Sequence, residues 1–173
     1  MFSDPDKNIE QFQLGKGMIV VDFGVGAGEY TFAAAKVVEK EGSVYACDVQ
    51  KDLLRKVAAR AQDERLTNIN ILWCDLEEPQ GSKLTTGSVD AVIISNILFQ
   101  IENKQGLILE AERILRAGGR LLIIDWADSF NNLGPHTDHI VSKETVLSLL
   151  KDTVFEKEIN AGAHHYGLIA RKK

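Results

Sequence analysis

Apolar and polar residues alternate along this 173-residue chain in blocks that predict strands and helices in turn. Short, continuously apolar runs are typical of strands covered on both faces, and they occur at 18–23, 43–48, 69–74, 89–95 and 119–125. Between these runs, apolar residues recur at helical spacing, which predicts helices at about 28–40, 50–62 and 102–117. Such regular alternation indicates an α/β fold, a parallel sheet with helices on both faces.

The end of the chain predicts one more helix and a closing hairpin. Ser142 has the character of a helix N-cap, and strands are expected at 153–160 and 164–171. The paired glycines Gly118 and Gly119 predict the end of the helix before the fifth strand. We expect residues 1–173 to form one domain, with residues 1–8 as a loosely ordered start.

Composition narrows the class of protein. The 45% hydrophobic content suits one well-buried core. Cys47 and Cys74 lie in predicted strands, so we expect separate buried thiols in a reducing compartment. No leader pattern and no membrane-length apolar run is present, which favours a cytoplasmic protein without a membrane partner. A net charge of -5 argues against nucleic-acid binding, since phosphates are neutralised by clustered Lys and Arg.

A glycine-rich turn follows the first predicted strand. The strand closes with Asp22 and runs into Gly24, Gly26 and Gly28, just before the helix that opens near Glu29. Alternating glycines permit positive φ angles and let a ligand approach the main chain. The helix start adds exposed N–H groups and the positive end of the helix dipole. This corner therefore predicts a site for a polar or anionic cofactor.

A second acid narrows the choice of cofactor. Asp48 closes the second predicted strand, where a carboxylate suits the hydroxyls of a ribose. The dinucleotide fingerprint G-x-G-x-x-G is not met, because Glu29 occupies its third glycine position. A carboxylate there would repel a pyrophosphate but would favour the ammonium of an amino acid. The residues thus favour an amino-acid nucleoside over a dinucleotide.

On these residues the chain resembles the class I S-adenosylmethionine-dependent methyltransferases. The resemblance continues from the loop Asp22–Gly28 through Asp48 and Asp75 to Val89–Asn96 and to Glu110–Ile124. It implies a Rossmann-like, doubly wound, seven-stranded sheet, mostly parallel with an antiparallel closing strand. Within the family, the chain is similar to the small-molecule branch that includes quinone-biosynthesis carbon methyltransferases.

The resemblance also implies a role for individual residues. Asp22, Gly24, Gly26 and Gly28 would lie at the methionine part of S-adenosylmethionine, and Asp48 would bind the ribose. The residues that would contact the adenine are Asp75, Val49 and Leu76. Beside the methyl group, Ser95 would contact the cofactor and Asn96 would be a catalytic residue. A purely structural role stays open for two of these acids: Asp48 could cap the end of its strand, and Asp75 could stabilise a turn.

All four histidines lie late in the chain, at 136, 139, 164 and 165. Topology brings both segments to the edge where the parallel strands end. Three interpretations are open: polar rim residues without chemistry, a general base at His139 or His165, or a metal site. No carboxylate or cysteine spacing completes a metal-binding set, so no metal is predicted.

The hypothesis is therefore methyl transfer from S-adenosylmethionine to a small-molecule acceptor, with a homodimer as a possible assembly. A non-catalytic protein that binds S-adenosylmethionine is the first alternative. An NAD-dependent oxidoreductase is the second, and Glu29 disfavours it.

Overall fold

The computed structural model describes residues 3–130 and 134–173. The strands are β1 (Ile19–Phe23), β2 (Ser43–Asp48), β3 (Ile69–Trp73), β4 (Val89–Ser95), β5 (Leu115–Trp126), β6 (Thr153–Ile159) and β7 (His165–Lys172). The α-helices of the described residues are α1 (Pro5–Phe12), α2 (Glu29–Val38), α3 (Lys51–Asp63), α4 (Lys104–Ile114) and α5 (Lys143–Leu149). None of them is long and apolar enough to cross a bilayer.

The strands form one seven-stranded sheet in the order β3-β2-β1-β4-β5-β7-β6. Strands β1 to β5 are parallel, whereas β7 pairs antiparallel with both β5 and β6. This confirms the doubly wound, mostly parallel sheet that the sequence predicted. The strand order reverses between β1 and β4, and ligands of such sheets bind at the carboxyl ends of the strands beside that reversal.

Helices cover both faces of the sheet. On what we call the α1/α2 face, Ile93, Ile124 and Ile169 pack with apolar residues of α1 and α2. On the α4/α5 face, Ile123 and Leu168 pack with apolar residues of α4 and α5. Side chains alternate between the two faces along a strand. Residues an even number of positions from these therefore lie on the same face, and their immediate neighbours lie on the other face.

The N-terminal stretch differs from the loose start that the sequence predicted. Residues 1 and 2 lie outside the described residues, but α1 begins at Pro5. The Asp4 carboxylate caps α1 by accepting the Lys7 N–H at 3.3 Å, and Ile9 and Phe12 are buried. Asp followed by Pro is a helix-start signal, and it is the local feature that the prediction passed over.

The paired glycines also have a different place. Helix α4 ends at Ile114, and β5 begins at once with Leu115, so Gly118 and Gly119 do not stop a helix. The pairing with β4 shifts from Leu115 to Arg120, which makes 116–119 an irregular bulge within β5. Gly118 takes a φ of 76° there, as bulges often require.

The prediction of two separate thiols is wrong. Cys47 and Cys74 are joined by a disulfide, with their Cα atoms 6.0 Å apart. Both are fully buried, as expected, but they lie at the adjacent ends of β2 and β3. Two strand positions predicted as independent core residues are brought together by the parallel register, which the sequence alone does not reveal.

Candidate active site

A cleft of about 530 Å³ opens at the carboxyl ends of β1, β2 and β4, next to the strand-order reversal. Its volume is typical of sites for drug-sized ligands. It brings together most of the cofactor residues that the sequence predicted: Gly24, Gly26, Asp48, Val49, Asp75, Leu76 and Ser95, and also Asn96. Asp22, Gly28, His139 and His165 do not line it.

The glycine loop is held against β2 by its main chain. The N–H groups of Gly24 and Val25 donate to the Cys47 carbonyl at 2.8 and 3.1 Å. A Cβ on Gly24 would lie 2.5 Å from Cγ2 of Ile97, and a Cβ on Gly28 would lie 2.9 Å from Cε2 of Phe32. These two glycines are therefore required for packing within the protein.

Gly26 differs from its two neighbours in the loop. Its φ is 52°, and a Cβ there would meet no atom within 4 Å. Since Gly26 lines the cleft, its bare main chain faces open space that a ligand can fill. Of the three glycines, it has the geometry that a close ligand approach requires.

Asp48 is 7% exposed and anchors the loop from the β2 side. Its Oδ2 accepts the Gly26 N–H at 3.3 Å, and its Oδ1 accepts the Gln50 N–H at 2.8 Å. It is thus a strand-end cap, as the structural interpretation held. Each carboxylate oxygen has a second lone pair, so the cap leaves acceptor capacity for hydroxyls in the cleft.

Asp75 is a turn former that also lines the cleft. Its Oδ1 accepts the Glu77 N–H at 3.0 Å, and the apolar Leu76 lies beside it. The Glu77 carboxylate then accepts the N–H of Glu102 at 2.7 Å, which ties the segment after β3 to the segment before α4. The far wall of the cleft is therefore braced by carboxylate–backbone bonds.

Asp22 lies beneath the glycine loop rather than in the cleft wall. It is buried, and its Oδ2 accepts the Thr31 hydroxyl at 2.6 Å, joining the end of β1 to α2. Its Oδ1 has no hydrogen-bond partner among residues 3–130 and 134–173. Burial raises the pKa of Asp22 to about 6. Asp22 does not line the cleft, and its role at the methionine part of the cofactor stays a prediction.

The turn after β4 forms the opposite side of the cleft. Asn96 has a φ of 54°, its N–H donates to the Ile124 carbonyl at 2.9 Å, and its Oδ1 is buried without a partner in the described parts of the chain. The buried Asp125 carboxylate accepts the N–H groups of Leu98 and Trp126 at 2.9 and 2.8 Å. Burial raises the pKa of Asp125 to about 6.

Sequence reasoning missed Asp125, although an acid that closes a buried strand is the signal that identified Asp22 and Asp48. It also missed the N-terminal wall of the cleft, formed by Ser3, Pro5 and Tyr30. The Tyr30 hydroxyl accepts the Asn8 side-chain amide at 2.7 Å and shares a hydrogen bond of 2.8 Å with the Ser3 hydroxyl. These bonds hold the start of α1 over the cleft.

The histidines separate into different environments. His139 is exposed in a short 3-10 turn, and His164 bonds to the Asp128 carboxylate at 2.7 Å. His165 is 8% exposed, with its ring 4.4 Å from that of Trp126. No group of three or more potential metal ligands occurs in the part of the chain that the structure describes.

The cleft fits S-adenosylmethionine on its own geometry. The open main chain at Gly26 and the Asp48 carboxylate lie on one side, and Asp75 with Leu76 lies on another. Carboxylates next to this exposed stretch of backbone suit the hydroxyls of a ribose and the ammonium of an amino acid, whereas they would repel a diphosphate.

Comparison with known proteins gives the same family. A family model described as a methyltransferase domain matches residues 14–168. The ubiquinone/menaquinone biosynthesis C-methyltransferase of Hydrogenovibrio crunogenus is 31% identical over 122 residues, which are 69% of this chain and 46% of that protein. A probable cobalt-precorrin-6B C(15)-methyltransferase (decarboxylating) of Sulfurisphaera tokodaii is 27% identical over 115 residues, 66% of this chain and 57% of that protein. The chain thus spans about half the length of the curated relatives it matches.

Solved structures extend the likeness over the whole fold. The crystal structure of a SAM-dependent methyltransferase from Aquifex aeolicus superposes with a TM-score of 0.88 at 26% identity, covering 99% of this chain and 91% of that one. A putative type 11 methyltransferase from Sulfolobus solfataricus gives a TM-score of 0.77 at 25% identity, covering 100% and 94%. The chain therefore belongs to the S-adenosylmethionine-dependent methyltransferases.

Proposed function

We propose that this chain transfers the methyl group of S-adenosylmethionine to a small-molecule acceptor. The observation that carries the proposal is a single cleft with two unlike sides. One side holds the open Gly26 main chain and the Asp48 carboxylate, and the other holds Ser95 and Asn96. A donor bound on the first side leaves its reactive end toward the second.

Residues of the first side would hold the donor. The Gly26 main chain would contact the methionine part, Asp48 would accept bonds from the ribose hydroxyls, and Asp75 would accept from the adenine amino group. Val49 and Leu76 supply the apolar contact for the ring, and Val49 is 52% exposed. When bound, the cofactor supplies an electrophilic methyl group on a sulfonium.

Residues of the second side would align the acceptor. Alignment and exclusion of water are the main contributions that a protein makes to a displacement of this kind. The buried Oδ1 of Asn96 has no partner among the residues that the structure describes, so it can accept a hydrogen bond from the molecule to be methylated. Ile97 and Ile101 add an apolar wall, which favours a small, charge-poor molecule.

The relatives support a small-molecule acceptor without identifying it. Their names refer to methyl transfer in ubiquinone/menaquinone biosynthesis and to cobalt-precorrin-6B. The net charge of -5 likewise disfavours a nucleic-acid acceptor.

A cytoplasmic location and a homodimer stay predictions. The disulfide bears on the first, because cytosolic thiols are mostly kept reduced. Alkylation of the protein in denaturant directly after cell lysis tests it. If Cys47 and Cys74 are not alkylated in fresh lysate, because they are joined in the disulfide, a reducing compartment is contradicted.

Ligand-induced stabilisation tests the proposed function. S-adenosylhomocysteine at 100 times its dissociation constant should add about 2.7 kcal/mol to the free energy of unfolding, and NAD should add nothing. Asp48→Asn should weaken S-adenosylhomocysteine binding by about tenfold or more, since hydrogen bonds to a charged group are lost. Asp52→Asn is the matched control, because Asp52 is an exposed residue of α3 paired with Arg55.

Stabilisation by NAD alone would contradict the methyltransferase proposal. Binding without turnover is distinguished by incubating the protein with radiolabelled S-adenosylmethionine and a small-molecule cell extract. Label in extractable products supports the enzyme, and tight binding with no labelled product supports a non-catalytic binding protein.

A further inference from the structure

We propose that Trp126 and His165 form the acceptor wall of the active site and that His165 takes the proton which the acceptor loses on methylation. The inference rests on the proposed function and deepens it. It concerns residues that lie next to the cleft and that the geometry of the cofactor side does not use.

Strand register places Trp126 and His165 close to the end of β4, whose Ser95 lines the cleft. Trp126 pairs directly with His165 across β5 and β7, and Ser95 at the end of β4 pairs with Ile124. Trp126 is two residues beyond Ile124 and so points to the same face. From a strand spacing of about 4.8 Å and a rise of about 3.3 Å per residue, the Cα atoms of Ser95 and Trp126 lie roughly 8 Å apart.

All these side chains belong to the α1/α2 face. Ile124 and Ile169 pack in that core, and Trp126 and His165 follow them at even spacing along their strands. Tyr30, which lines the cleft, packs on the same face. The start of α1 and the turn after β4 therefore line one end of the cleft, and the Trp126–His165 pair lies on the same face of the sheet just outside that lining.

His165 has the character of a group that awaits a ligand. Its side chain is more than nine-tenths buried, yet neither ring nitrogen has a hydrogen-bond partner within the described ranges. Buried polar groups are nearly always bonded, and an exception calls for an explanation. The adjacent residues differ, because His164 bonds to Asp128 and the Tyr166 hydroxyl donates to the Val141 carbonyl at 2.8 Å.

The charge state of His165 suits a base. Burial lowers the pKa of the imidazole, the neighbouring His164 lowers it further, and Asp128 acts in the opposite direction. A neutral ring at neutral pH keeps one nitrogen with a free lone pair. An acceptor hydroxyl or acidic C–H placed against Trp126 would point its proton at that nitrogen.

The proposed step balances in atoms and charge. The acceptor atom forms a bond to the methyl carbon as the C–S bond breaks, and the electron pair of that bond goes to sulfur, which becomes a neutral thioether. The acceptor proton goes to a His165 nitrogen. One positive charge is lost at sulfur and one appears on the imidazolium. Gly134 packs against part of the Trp126 indole, and the apolar surface that remains beside His165 selects an acceptor with a small, flat apolar body.

The test uses 2,4-dinitrophenol, a flat probe that is more acidic than imidazolium and whose phenolate is yellow. The chain has two tryptophans, so Trp73→Phe leaves Trp126 as the sole indole. In this variant, saturated with S-adenosylhomocysteine, the probe should quench Trp126 emission. At a pH near the pKa of the free phenol, the bound probe should also show a stronger phenolate band than the free probe, because His165 holds its proton.

Two substitutions in that background separate the roles. His165→Gln should keep the quenching and lose the stronger phenolate band, and the matched control His164→Gln should keep both. Quenching in each variant verifies that the site is folded. The proposal is overturned if the probe does not quench Trp126 emission before either substitution. It is also overturned if the stronger phenolate band survives in His165→Gln or disappears in His164→Gln.

Failure of the proposed function is measured separately on the same protein. Calorimetry with S-adenosylhomocysteine reports the cofactor side alone. If it binds while Trp126 emission is unchanged by the probe, the acceptor wall is wrong and the methyltransferase proposal stands. If it does not bind, the proposed function fails, and the role of His165 fails with it.

Discussion

The two sides of the active site differ in how completely their polar groups are hydrogen-bonded within the protein. On the donor side, Asp48 and Asp75 accept backbone N–H groups, and the loop amides of Gly24 and Val25 are bonded to β2. On the acceptor side, buried atoms of Asn96 and His165 have no partner in the described residues. Where the polar groups are hydrogen-bonded within the protein, the site is held rigid before its ligand binds. Where buried polar groups lack a partner, a bound ligand can supply the missing hydrogen bonds.

The contrast has one exception, which lies under the donor side. Asp22 is buried beneath the glycine loop, yet one of its carboxylate oxygens has no hydrogen-bond partner within residues 3–130 and 134–173. Its raised pKa lets it carry a proton, so the free oxygen is not a full buried charge below about pH 6.

The disulfide should be the strongest brace of the donor side. Cys47 and Cys74 are 27 residues apart in sequence, for which loop-closure entropy gives about 3.5 kcal/mol of stabilisation. Dithiothreitol should therefore lower the free energy of unfolding measured in urea by about this amount. The double variant Cys47→Ala/Cys74→Ala is the control, since the reductant should not affect it. Equal stability of the native chain with and without reductant would show that the brace is absent.

Asp22 should make stability fall as pH rises. Its pKa is about 6 in the folded protein, against 3.8 for an ordinary aspartate, so the folded state binds more protons between these two values. The stability present at pH 3 should thus fall by about 3 kcal/mol by pH 7, with most of the loss between pH 4 and pH 6. Asp22→Asn should remove this contribution. Urea unfolding of both proteins across the pH range measures it, and parallel curves would contradict the buried, raised-pKa carboxyl.

Gly26 should matter for binding far more than for folding. Gly26→Ala places a methyl group in the open cleft and should weaken S-adenosylhomocysteine binding about a hundredfold, which is about 2.7 kcal/mol. Gly87→Ala is a matched control, because its φ of 66° is also left-handed and its Cβ also meets no atom. Both should lose about 1–2 kcal/mol of stability from the strained backbone. Calorimetry showing equal affinities in the two variants would mean that the ligand does not approach Gly26.

The donor side was predictable because its signal is local. The run from Asp22 to Gly28 places a strand end, a turn and a helix start within a few residues, and the structure keeps all three in that order. Asp48 and Asp75 are likewise strand-end acids, and both line the cleft. Short-range physics fixes such features, so they can be recognised without knowledge of the fold.

The acceptor side was less predictable because it depends on register. The contact between Trp126 and His165 joins residues far apart in sequence, and it follows from an antiparallel pairing that no local pattern specifies. The same holds for the Cys47–Cys74 bond between β2 and β3. Helix α1 is a different case, because Asp4 followed by Pro5 is a local helix-start signal that the sequence prediction did not use.

Hydrogen–deuterium exchange with and without S-adenosylhomocysteine tests most directly that the donor binds at the carboxyl ends of β1, β2 and β4. The account predicts slower exchange at residues 24–29, 48–50, 75–77 and 95–97, with little change in β6 and at the turn 160–163. Protection confined to the groove between α1 and that turn, or no protection at Gly26 and its neighbours, would contradict it.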